Sequence, residues 1–151
     1  AVHSLSKRSN LAGLRVGFYA GDPDLVAYLA QLRKHAGFMV PAPAQAAGAA
    51  ALDDDEHATL QADTYRHRLE RVVGALQAAG LDARVPGGAF YLWVPAPSGD
   101  GLELTRDLAA RAGVLVTPGA TYGPLGAGHV RLALVVPDDR VDELVDRLGA
   151  L

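Results

Sequence analysis

The 151-residue sequence predicts a mixed chain, α/β in its first part and passing to α+β in its second. Three observations carry that prediction. Apolar residues recur at helical spacing in separate stretches, several opened by a capping aspartate or a proline. Short runs rich in Val, Tyr, Phe and Trp lie between them and read as strands. From Leu81 onward the texture changes, and strands and helices follow one another closely.

The chain opens on Ala1 and the alternation AVHSLS, which reads as a strand already under way and leads us to expect a fragment. Asp22 can cap a helix with Pro23 at its first position. Leu25, Leu29, Leu32 and Ala36 form one stripe before Gly37 ends it. The Pro/Ala segment MVPAPAQAAGAAA, residues 39–51, is assigned no element. The acidic run Asp53–Glu56 then starts a longer helix to about Gly80, where the dipole favours negative charge. Its stripe is Tyr65, Leu69, Val72 and Leu76. DARVPGG and AFYLWVPA read as two strands meeting at a Gly-Gly turn. Asp100 caps a helix carrying Leu104 and Leu108, which Gly113 ends. VLVTPG and HVRLALVVP read as strands flanking a glycine-rich loop, and a last helix from about Asp138 carries Val141, Leu144, Val145 and Leu148. Residues from 81 onward thus form a strand-strand-helix-strand-strand-helix layer.

Half the residues are apolar, enough for a real core. A net charge of −3 supplies no basic patch for nucleic acid and no polybasic anchor for a membrane. No apolar run approaches the roughly 20 residues that span a bilayer. Cysteine is absent, so disulfides and thiolate metal sites are excluded. With no signal peptide in view, we expect a cytoplasmic protein. The five histidines (His3, His35, His57, His67 and His129) lack metal-ligand spacing, and no metal is expected.

Only two cations are lysines, Lys7 and Lys34, against twelve arginines. A lysine amine can lose its proton and attack carbon, whereas a guanidinium cannot. Lys7 lies in the stretch SLSKRSN. Read as extended chain, Ser4 and Ser6 would face one side and Lys7 the other. With Arg15 returning on the next strand, the hydroxyls and the guanidinium would make a phosphate cradle. A lysine beside a bound phosphate suits pyridoxal 5'-phosphate (PLP), whose aldehyde condenses with an amine. The bland alternative is a surface lysine beside a serine-rich turn. The loop from Thr117, with Gly123, Gly126 and Gly128, invites a nucleotide-binding reading. It opens a strand rather than a helix, and that reading is discounted.

SLSKRSNLAGLRVGF resembles the lysine-bearing segment of fold-type I, class I/II PLP-dependent aminotransferases. Its form SLSKRSN is most similar to N-succinyldiaminopimelate aminotransferases. AGDPDLVAYLAQLRKHAG, PAPAQAAGAAALDDDEH, VPGGAFYLWV and TPGATYGPLGAGHVRLALV follow in the family's order, so the resemblance covers essentially the whole chain. It implies that Lys7 is the catalytic lysine to which the cofactor attaches, and that Ser4, Ser6 and Arg15 surround the cofactor phosphate. It implies that Arg131 binds the substrate α-carboxylate, with Gly119 and Tyr122 near the substrate. Arg131 also stands on an otherwise apolar strand, where a guanidinium needs a partner.

The same resemblance implies residues 1–52 as the end of a PLP-binding large domain, 53–80 as a connecting helix and 81–151 as a small C-terminal α+β domain. It implies amino-acid and 2-oxo-acid substrates, here N-succinyl-LL-2,6-diaminopimelate and 2-oxoglutarate, and a homodimer. The family's partner for the pyridine nitrogen and its ring-stacking aromatic have no counterpart in the chain, which we therefore expect to be inactive alone. The alternatives are another amino-acid aminotransferase of the class, or a non-catalytic ligand-binding α+β module. A serine-flanked lysine argues against the module.

Overall fold

The computed structural model describes residues 1–151. It divides into two compact units, Ala1–Ala62 and Asp63–Leu151.

In the first unit, strand β1 (Val2–Ser4) pairs antiparallel with β2 (Gly17–Tyr19), with Ser4 opposite Gly17. Between them lie a single helical turn, α1 (Leu5–Arg8), and a 3-10 turn at Ala12–Leu14. The turn at α1 replaces the extended chain expected there. The Ser4 hydroxyl oxygen accepts the Ser6 N–H at 3.2 Å, and Leu5, almost wholly buried, donates its own N–H to Val16 at 3.1 Å. A serine at an N-cap favours such a turn over strand continuation.

Helix α2 (Pro23–His35) begins as its signals require. Asp22 accepts the Leu25 N–H at 2.9 Å, and Pro23 occupies the first turn. It buries no residue, and Leu25, Tyr28 and Leu32 are 56%, 65% and 53% exposed. The Pro/Ala segment forms a further helix, α3 (Ala42–Asp53), which the sequence reading left without an element. Its alanines are the best helix formers, and proline is tolerated in a first turn. Gly48 is where α3 meets Leu5 of α1 and Val16, the residue before β2. A Cβ there would stand 2.8 Å from Val16 Cγ1 and 3.2 Å from Leu5 Cδ1.

Helix α4 (Glu56–Ala78) crosses from the first unit into the second. The second unit holds one antiparallel three-stranded sheet in the order β3 (Tyr91–Pro95), β5 (His129–Ala133), β4 (Thr117–Pro118). Trp93 and Thr117 both stand opposite Arg131. Alternation sends Leu92, Val94, Val130 and Leu132 to the core face. There they join Val72 and Leu76 of α4, Leu108 of α5 (Gly101–Ala112), and Val141 and Leu148 of α6 (Asp138–Gly149). Each such side chain contributes about 1.5–3 kcal/mol, which makes this layer the stable part of the chain.

The strand expected over residues 82–88 does not form. Leu81 donates to the Leu76 carbonyl at 2.9 Å and the Gln77 side chain donates to the Ala83 carbonyl at 2.9 Å. The C-terminal end of α4 thus supplies a donor to the Ala83 carbonyl that a neighbouring strand would otherwise have supplied. VLVTPG contributes only Thr117–Pro118, so the sheet has three strands and not four. Helix α5 is capped as expected, with Asp100 accepting from Leu102 and Glu103 at 2.8 and 3.2 Å and Gly113 in the left-handed region at φ 64°. No helix is long and apolar enough to cross a membrane.

Candidate functional site

In the first unit, the one-turn helix that carries Lys7 is fixed on both sides of it. Leu5 is sealed beneath Gly48. Arg8 donates through Nη1 to the Ala51 carbonyl at 2.6 Å and pairs through Nη2 with Asp55. Ser9, the buried residue that ends the turn, returns its N–H to Leu5. Lys7 is exposed between these anchors, and Ser6 is half-buried beside it.

Arg15 does not lie on the returning strand. It ends the 3-10 turn two residues before β2, with φ 55° and ψ 43°. An L-residue other than Gly, Asn or Asp pays roughly 1–2 kcal/mol for that conformation. Its Nη1 donates to the Ala12 carbonyl at 2.8 Å, which leaves the remaining N–H groups for another partner. Since Ser4 is opposite Gly17, Ser4 and Arg15 both lie at the end of the hairpin where the connection between β1 and β2 begins and finishes. Two hydroxyls, an amine and a guanidinium on one hairpin form a donor set that suits a phosphate and an aldehyde.

In the second unit, the outer face of the sheet presents Tyr91, Trp93, His129 and Arg131. The Arg131 guanidinium carbon lies 4.7 Å from the centre of the Tyr91 ring and 4.9 Å from that of Tyr122. The unit's ion pairs engage Arg68, Arg71, Arg84, Arg111, Arg140 and Arg147 and leave Arg131 out. Its Nε is buried without a hydrogen-bond partner. A half-buried cation with no acid beside it is prepared for an anion from outside.

The loop before β5 shapes this face. Gly119 and Gly126 approach each other so closely that a Cβ on Gly119 would sit 2.2 Å from the Gly126 carbonyl oxygen and 2.8 Å from the Trp93 ring. Only glycine allows that approach. Gly101 donates to the Ala127 carbonyl at 2.8 Å and fastens the loop to α5. Trp93 stacks on His129 at 5.3 Å and meets the Tyr122 ring edge-on at 5.9 Å. The sequence pointed to Arg131 and, through the resemblance, to Tyr122 near the substrate, but not to Tyr91 beside the guanidinium. Tyr91 shares strand parity with Trp93, and only the register with β5 reveals that both share a face with Arg131.

The family model described as "Aminotransferase class I and II" matches residues 1–148. The chain belongs to that family. A Mycobacterium tuberculosis protein described as a probable aminotransferase is 49% identical over 148 residues, which cover 98% of this chain and 35% of the relative. The 4-dedimethylamino-4-oxo-anhydrotetracycline transaminase OxyQ of Streptomyces rimosus is 47% identical over 98% of this chain and 41% of its own length. The LL-diaminopimelate aminotransferase of Syntrophobacter fumaroxidans is 36% identical over 99% and 39%. Among solved structures, an aminotransferase from Neisseria meningitidis superposes with a TM-score of 0.84 at 38% identity, over 97% of this chain and 38% of that one. The chain therefore spans only about 35–41% of the length of the relatives it matches.

Proposed function

We propose that this chain carries the cofactor lysine and the carboxylate-binding arginine of a PLP-dependent aminotransferase. The donor would be N-succinyl-LL-2,6-diaminopimelate and the acceptor 2-oxoglutarate. In this reading residues 1–52 end the PLP-binding large domain, 53–80 connect, and 81–151 form the small domain. The complete protein is a cytoplasmic homodimer, and the 151 residues alone are inactive. The observation that carries the reading is Arg131, a half-buried guanidinium with an unpartnered Nε in an aminotransferase chain.

When bound, PLP supplies the electron sink that makes the substrate's α-proton removable. Ser4, Ser6 and Arg15 would hold its phosphate, and Lys7 its aldehyde carbon. The chain's own residues do the rest. Arg131 would grip the α-carboxylate through two parallel N–H···O bonds. The Lys7 Nζ would take the proton from the substrate α-carbon.

A second reading keeps the chemistry and replaces the succinylated amine with an oxo compound that accepts the amino group. OxyQ, whose name records an oxo-anhydrotetracycline substrate, is more similar to this chain than the diaminopimelate enzyme is, at 47% against 36% identity. The two are separated by turnover of the complete protein on N-succinyl-diaminopimelate, free LL-diaminopimelate and a ring ketone, each paired with glutamate or 2-oxoglutarate. Preference for the succinylated donor supports the first reading, and failure on it in favour of the ring ketone overturns it. Borohydride trapping followed by peptide mass spectrometry tests the class itself. The cofactor mass should fall on Lys7, and an unlabelled Lys7 in a fully active protein removes the assignment.

A further inference from the structure

We infer that Tyr91 and Tyr122 are positioning residues for the Arg131 guanidinium: the two rings fix its plane so that its N–H edge meets a carboxylate in a single orientation. This inference rests on the reading of Arg131 as the carboxylate-binding residue. The ring centres lie 4.7 and 4.9 Å from the guanidinium carbon, within the distance at which a cation is attracted to an aromatic face. A ring over the guanidinium takes up none of its five N–H groups. Holding the group with an aspartate would fix it equally well but would occupy the donors and cancel the charge. The unpartnered Nε and the absence of Arg131 from the unit's ion pairs fit the ring arrangement.

The rings are themselves supported. Tyr91 stands two residues from Trp93 on β3, the residue opposite Arg131, so it reaches the arginine on the diagonal of the same face. Tyr122 closes the 3-10 turn Gly119–Tyr122, and the edge of its ring meets Trp93 at 5.9 Å. Trp93 is in turn stacked on His129. The arrangement predicts that the aromatic ring, and not the phenol hydroxyl, is what carboxylate binding requires at both positions.

The test uses the complete, PLP-loaded protein and glutarate, a carboxylate that binds without reacting. Tyr91→Leu and Tyr122→Leu should each weaken glutarate binding, measured calorimetrically, by tenfold or more. KM for the amino donor should rise by a similar factor while kcat changes less than threefold. Tyr91→Phe and Tyr122→Phe should restore glutarate affinity to within threefold of the parent. Tyr122 is half exposed on a turn, so Tyr122→Leu remains informative if Tyr91→Leu lowers the melting temperature too far. Unchanged glutarate affinity in Tyr122→Leu overturns the inference, as does a loss in Tyr122→Phe equal to that in Tyr122→Leu. Arg131→Lys distinguishes this failure from failure of the underlying reading. If that variant binds glutarate like the parent, Arg131 does not hold a carboxylate at all. If it weakens binding while the leucine variants do not, only the positioning role is lost.

Discussion

The Arg8 guanidinium donates to the Ala51 carbonyl at 2.6 Å, a bond between residues 43 apart in sequence. It ties the turn carrying Lys7 to the last turn of α3, where a free carbonyl is available because the helix is ending. The Asp55 partner of the same guanidinium is almost fully exposed and adds little. Arg8→Met should therefore cost about 1.5–3 kcal/mol, the worth of a charged hydrogen bond, while Asp55→Asn should cost far less. Chemical denaturation of both variants checks the ranking. Equal losses would mean that the ion pair, and not the carbonyl bond, anchors the turn.

Arg15 separates backbone from side chain. Arg15→Ala keeps the left-handed conformation and loses the guanidinium, whereas Arg15→Gly loses both the guanidinium and the strain. Arg15→Gly should be the more stable of the two by about 1 kcal/mol. Both should weaken retention of PLP by the complete protein to the same degree, at least tenfold. A difference between them in cofactor affinity would show that backbone geometry, and not the guanidinium, serves the phosphate.

For Arg131, the charge-conserving change is the informative one. Arg131→Lys retains the cation but forfeits the planar fork and its contact with two rings. Substrate binding should weaken by about 1.5–3 kcal/mol, as for one charged hydrogen bond. Steady-state kinetics across several amino donors should show the same loss for each, because all share the α-carboxylate. A loss confined to one donor would place Arg131 at the variable part of the substrate.

The Asp54 carboxylate accepts the His57 backbone N–H at 3.2 Å and pairs with its Nδ1 at 2.9 Å, and chiefly the backbone bond holds it below its ordinary value of 3.8. A carboxyl depressed in the folded state stabilises it above the unfolded value and loses that contribution as the pH falls through the folded value. Asp54→Asn should therefore melt below the parent at neutral pH, with the gap closing at pH values under 3.8. Melting temperatures from neutral pH into the acid range check it, and a gap independent of pH would refute the assignment.

Amide hydrogen exchange should divide the chain. Helix α2 buries none of its residues, and Leu25, Tyr28 and Leu32 stand in solvent. Strands β3 and β5 and the stretch of α4 through Leu76 surround the main core. Exchange in the isolated 151 residues should be fast over α2 and slow over residues 69–76, 91–95 and 129–133, because local opening costs little where few apolar contacts are lost. Protection of α2 matching that of β5, independent of concentration, would contradict this.

The features legible in the sequence are those set by near neighbours. Asp22 and Pro23 start α2, Asp100 and Gly113 bound α5, and the stripe Leu69, Val72, Leu76 buries as its spacing requires. Those signals act within one or two turns of chain, and so survive being read without coordinates. Lys7 and Arg131 stood out in the sequence as candidates for a different reason: one is one of two lysines, and the other a cation on an apolar strand. What tertiary structure alone decided involves residues far apart. Residues 82–88 read as a strand, yet none forms there and the Ala83 carbonyl instead accepts from the Gln77 side chain of α4. The alanines of α3 gave no amphipathic pattern, yet Gly48 packs on Leu5 and Val16 more than 30 residues earlier. The rings on Arg131 come from β3 and from a turn, brought to one face by strand register. Register and close packing depend on which distant backbone supplies the hydrogen bond, and no local pattern of side chains encodes that choice.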